Sequence, residues 1–174
     1  MKTFMAGAAG AALLLGASVA VVAQDKPTDP QIAHIAYSAG VIDIAAAKLA
    51  LSKTKNKDVA EFAKSMRDDH EAVNAQALAL VKKLNVTPQD NPTSQSLSKD
   101  AEKQRAELAK LDGAAFDKAY VAHEVAYHKQ VNGALEKLLI PSASNADLKA
   151  LLQTGLKLFQ GHQLHAENVA AGLK

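Results

Sequence analysis

The sequence predicts an all-α protein, a four-helix bundle with one long crossover that carries a short extra helix. Three observations carry that expectation. Apolar residues recur at three- and four-residue spacing over four long stretches, the period of an amphipathic helix. Alanines are frequent on those faces, which lets helices pack closely. Roughly 30 residues separate the second stretch from the third, too many for the short turn that usually joins bundle neighbours.

The elements follow in order. Met1 to Ala23 has one cation, Lys2, then an uncharged small and apolar run ending Val21-Val22-Ala23, the pattern of a cleaved secretory leader. No cysteine follows it to take a lipid, so the expected product is secreted or periplasmic, with no membrane span after processing. Residues 24–30 read as a polar linker and 31–174 as the bundle domain. Ile32, Ile35, Ala39, Ile42, Ala46 and Leu49 mark a first helix from Pro30 to about Lys53. Asp58 is the expected N-cap of the second helix, which carries Val59, Phe62, Met66, Val73, Ala77, Leu80 and Leu84 and ends before Thr87-Pro88. The crossover spans 85–113, with a short helix from Ser96 to Leu111. The third helix follows Gly113, carries Phe116, Tyr120, Val121, Val131, Leu135 and Leu138, and is broken by Pro141. Leu148, Leu152, Phe159, Ala166, Val169 and Leu173 mark the fourth.

Composition excludes several functions. A length of 174 residues suits one domain, and a net charge of +2 is too balanced for a dedicated nucleic-acid binder. The absence of cysteine removes disulfide scaffolds, thiol catalysis and cysteine-bound metal centres. Aromatics at 4% argue against a base-stacking surface. Neither G-x-S-x-G nor a phosphate-binding G-x-x-x-x-G-K-[ST] occurs.

The informative residues interrupt the apolar stripes. Asp43 falls on the first helix's alanine seam. His70 lies between Met66 and Val73 on the second, with Asp69 at the edge of the same stripe. Glu124 and His128 share a stripe with Val121 and Val131, and His162 lies between Phe159 and Ala166. Asp43 precedes the first turn by about 13 residues and His70 follows it by about 14, so each stands roughly 20 Å from that end. His128 and His162 stand roughly 23 and 28 Å from the turn near Ala143, with Glu124 level with His162. All six positions therefore fall near mid-bundle. Imidazoles and carboxylates from four helices suit a first-row divalent metal such as iron, manganese or zinc, the arrangement used by di-iron bundles. The usual Glu-x-x-His pairs are missing: Arg67 precedes His70 by three residues and Phe159 precedes His162 by three.

The runs FAKSMRDDHEAVN and FDKAYVAHEVAYH, followed by His162, resemble the DUF4142 family over essentially the whole mature chain. That resemblance implies an exported bacterial protein with a ferritin-like helical bundle and no established reaction. It also implies that Phe62, Met66, Asp69, His70, Phe116, Asp117, Tyr120, His128 and His162 are family-pattern positions.

Three readings follow. The first expectation is a structural bundle acting through an envelope protein partner or a second copy, its cluster a hydrogen-bonded network in which Asp69 pairs with His70. The second is a metal-binding or metal-storing protein using Asp43, Asp69, His70, Glu124, His128 and His162. The third, an oxidase- or catalase-like enzyme, has the least support, because acid–base groups outside the cluster are scarce. His123 and His165 are expected at stripe edges, His34 exposed, Asp117 exposed or near a helix start, where its charge favours the dipole, and Tyr120 and Tyr127 in the core.

Overall fold

The computed structural model describes residues 26–173, all helices and short connections, with no strand among them. The expected leader, Met1 to Ala23, falls outside the described residues. Helix α1 (Asp29–Lys53) begins where Gln31 Oε1 accepts from the Thr28 N–H at 3.0 Å, with Pro30 in its first turn. Helix α2 (Lys57–Lys83) is capped by Asn56, not Asp58: Asn56 Oδ1 accepts from the N–H groups of Asp58 and Val59. Asp58 sits within the first turn, where its charge favours the helix dipole.

Helix α2 stops at Lys83 because Asn85 takes φ 54, the left-handed conformation that reverses a chain after a helix. Val86 N–H then donates to Val81 O, and Asn85 N–H to Lys82 O. Helix α3 (Pro92–Ala109) occupies most of the crossover and starts four residues before the expected Ser96. Asn91 explains the earlier start. Its side chain accepts from Ser94 N–H while Ser94 Oγ accepts from Asn91 N–H, a reciprocal cap.

Helix α4 (Gly113–Ala134) continues through a π-helical turn, Leu135–Leu139, into the short α5 (Ile140–Ser142). Pro141 therefore lies inside helical backbone. A proline ring collides with the carbonyl four residues before it, here Lys137, and Lys137 lies in the widened turn. Helix α6 (Ala146–Gly172) starts at the Asn145 cap.

The ends give the topology. At one end Asp29 accepts from the N–H groups of Ser144 and Asn145, Gln89 N–H donates to Pro30 O, and Lys83 pairs with Asp147. At the other end Lys53 reaches Ala109 O and Asp112. Helices α1 and α6 thus run one way and α2 and α4 the other, while α3 returns alongside α1. Helix α1 is apolar and long enough to cross a membrane, yet it packs on α2, α3 and α4.

The core has two unequal halves. Beyond the polar level, toward the α1–α2 turn, Phe62, Met66, Phe116 and Tyr120 are fully buried. The half near the start of α1 is aliphatic, built on Ile32, Ile35, Leu135, Leu139, Leu148 and Leu152. It retains a chamber of about 140 Å³.

Candidate metal centre

Between the two halves each long helix places polar side chains in the interior. Asp43 comes from α1, His70 from α2, Glu124 and His128 from α4, and His162 from α6, all buried. Helices α1 and α2 approach closely just below this level. A Cβ on Gly40 would collide with the Asn74 side chain, so glycine permits the contact that faces Asp43 toward His70.

Asp43 Oδ2 lies 3.4 Å from His70 Nε2 and 3.5 Å from His128 Nε2. Glu124 Oε2 lies 3.6 Å from His128 Nδ1. Two groups can each converge on one ion: His70, His128 and His162, and Asp43, Glu124 and His128. Within each group the ligand atoms lie within 4.8 Å of one another. Ligands on opposite sides of an ion with bonds near 2.1 Å stand roughly 4.2 Å apart, so small side-chain shifts close either group. His128 belongs to both.

Hydrogen bonds assign the ring nitrogens. His128 Nδ1 lies 3.0 Å from Glu124 O; a carbonyl only accepts, so Nδ1 carries the proton and Nε2 keeps its lone pair toward Asp43. His162 Nε2 bonds Asp69 Oδ2 at 2.9 Å, which leaves His162 Nδ1 buried and unpaired. A carboxylate on the outer nitrogen and a free inner nitrogen is how metal-binding imidazoles are oriented. Phe159 stacks on His70 at 4.6 Å and 13°, holding that ring from the side.

The remaining polar atoms are short of protein partners. Among the described residues, both nitrogens of His70, His128 Nε2, His162 Nδ1 and the Tyr120 hydroxyl are buried without a hydrogen bond, and the Asp43 and Glu124 oxygens have only each other. Two carboxylates cannot donate to each other; they bond only when one holds a proton. Burial pushes the Asp43 carboxyl up to about 7, and its hydrogen bond to Glu124 draws it partly back. Glu124 is held well above the usual carboxylate range by burial, then by the Asp43 charge and the bond to Asp43. Burial lowers His70 to about 2, with His162 and His128 adding to the effect. It lowers His128 to about 4, against the pull of the Glu124 carbonyl, and lowers His162 against the pull of Asp69. Three imidazoles and a carboxyl pair short of donors are ligand types that first-row cations take.

Several expectations change. The network is not closed: Asp69 pairs with His162 across α2 and α6, not with His70, and its carboxylate is 44% exposed. Asp69 therefore stands outside both convergent groups, as an orienting partner. Asp117, expected exposed or near a helix start, lies one turn into α4 and is buried. His34 is partly covered and lies 3.7 Å from Asp90. His123 and His165 stay at the edges, His165 against the Phe62 ring. Tyr127 is in the core and donates to Ala39 O at 2.8 Å. Sequence reasoning missed Phe159 as a support for His70, although its place three residues before His162 marked it as facing the cluster.

A family model described as a domain of unknown function, DUF4142, matches residues 16–169. No curated protein and no solved structure matches.

Proposed function

The chain belongs to the DUF4142 family, a domain of unknown function, and from its own interior we propose that it is an exported metal-binding bundle. It holds a first-row divalent ion in one of two ligand sets that share His128: the His70, His128 and His162 nitrogens, or His128 with the Asp43 and Glu124 oxygens. The observation that carries this reading is the concentration of unpaired buried lone pairs at one level, contributed by four helices. A purely structural network would supply donors there, and an unsatisfied buried group costs about 1–3 kcal/mol.

When bound, the ion supplies positive charge to lone pairs that lack a donor. The protein's own groups do the rest. Asp69 and the Glu124 carbonyl hold the His162 and His128 rings in the tautomers that aim a lone pair inward. Asp43 and Glu124 give up their proton to become anionic ligands, so binding releases protons and strengthens as the pH rises. Helices α2 and α4 run parallel across one long crossover, which supports the ferritin-like reading of the bundle. The leader-like residues 1–23 support export.

Elemental analysis of untagged protein purified from its native compartment tests the proposal. Near-stoichiometric iron, manganese or zinc is expected. Protein that carries no such metal, and whose melting after stripping ignores every first-row divalent ion, would overturn it.

A further inference from the structure

The chamber near the start of α1 lies directly under the metal centre. Its walls are aliphatic, with Ile35, Leu80, Val131, Leu135, Leu139 and Leu152 among them. Small residues on three helices keep it open: Ala36 and Ala39 on α1, Ala77 on α2 and Ala134 on α4. The other half of the bundle is filled by large side chains. Leu135 and Leu139 belong to the π-helical turn of α4, a backbone irregularity that recurs at functional sites.

The chamber's roof is polar. His70 and His128 both border it. Of the buried polar side chains in its wall, Tyr127 is committed to Ala39 O, Asn74 to Tyr37 O, and His128 Nδ1 to Glu124 O. His70 is different: neither ring nitrogen has a protein partner. A neutral imidazole offers one donor and one acceptor.

We propose that this chamber binds a small molecule with an apolar body of about the size of a benzene ring and one hydrogen-bonding atom. The body lies among the aliphatic side chains and the polar atom meets His70. The size follows from the volume, since an apolar cavity of roughly 150 Å³ stays dry and accepts benzene. The single polar atom follows from His70, the ring in the wall with neither nitrogen committed. This site does not depend on the metal reading, because it is tested on protein stripped of divalent ions.

Phenol and benzene are the probes, titrated into the stripped protein and followed by amide chemical shifts. Saturable shifts are expected at residues around the chamber, with phenol bound about fivefold more tightly than benzene, the worth of one net hydrogen bond. His70→Phe should abolish that preference and keep benzene binding. Ala77→Leu should weaken both probes at least tenfold; should it fail to fold, the smaller Ala36→Val is the deciding variant, with the same direction. No saturable binding, equal affinity for the two probes in the wild type, or shifts confined to residues away from the chamber would each overturn the proposal. A metal-free protein that binds phenol keeps this site even if the metal proposal fails.

Discussion

Glu124→Gln is expected to stabilise the metal-free protein at neutral pH, and to do so progressively less as the pH falls. Glu124 is fully buried beside Asp43, and its carboxyl is held well above its ordinary value, first by burial and then by the Asp43 charge. A folded-state pKa above the unfolded one means that folding takes up a proton. That uptake costs nothing below the ordinary value of 4.5 and adds about 1.4 kcal/mol per pH unit above it, until the folded value is reached. Between that value and pH 7 the cost is at most about 3 kcal/mol. Glutamine keeps the shape, carries no charge and offers Asp43 an amide donor, so the variant avoids the cost. At about 2–4 °C per kcal/mol for a chain of this size, stripped Glu124→Gln should melt several degrees above wild type at pH 7. The two should converge near pH 4.5. Divalent metal reverses the order, because wild type gains about 2.7 kcal/mol at a hundredfold excess over Kd and the variant has lost an anionic ligand. Calorimetry of stripped protein at pH 5 and 7, with and without Mn²⁺ or Zn²⁺, measures all of this. A stripped variant that melts below wild type at pH 7, or by the same offset at both pH values, would refute the reasoning: Glu124 would then be a carboxylate satisfied by donors.

Three further outcomes are expected. His162→Leu should lose most of the metal-dependent rise in melting temperature, while His34→Leu, well away from the centre, should keep it; equal behaviour of the two variants would remove His162 from the ligands. Asp69→Asn should leave the stripped protein's melting within about 1 kcal/mol of wild type, since the Asp69–His162 contact is partly exposed, and weaken metal binding about 10- to 100-fold through loss of orientation. Equilibrium dialysis checks that affinity, and an unchanged Kd would make the contact incidental. Amide exchange should be fastest over Asn85 to Asp90 and clearly slower from Ser94 onward, where the reciprocal cap and burial protect α3; uniform exchange across the whole crossover would contradict the packing of α3 on α1.

The level of the centre was legible in the sequence because helices are rigid rulers. Asp43, His70, Glu124, His128 and His162 interrupt apolar stripes at matching distances from their turns, and all five are buried in two groups that share His128. The partner of Asp69 was not legible: it meets His162 of α6, not His70. Neighbours on a helix point about 100° apart, and which one faces inward depends on the roll of α2. That roll is set by tertiary contacts, among them the close approach of Gly40 and Asn74. Pro141 signalled a break that a widened turn absorbs, and widening a turn takes packing, not local preference. The start of α3 was legible in principle, since Asn91 and Ser94 form a capping pair, but its weak apolar stripe drew attention to Leu97 and away from Pro92.

Why the interior tolerates this centre is a matter of placement. Each unpaired buried group costs about 1–3 kcal/mol, and burying a large apolar side chain returns about 1.5–3 kcal/mol. Phe62, Met66, Phe116 and Tyr120, stacked on the far side of the centre, supply that return and fix the helices against each other. The aliphatic half near the start of α1 is less filled, so the polar level has a rigid wall on one side and a chamber on the other. A cation that satisfies the lone pairs recovers the cost directly, which makes its binding energy folding energy. Stability that rises with divalent metal, and falls when one inward-facing lone pair is removed, is therefore the direct thermodynamic signature of the arrangement.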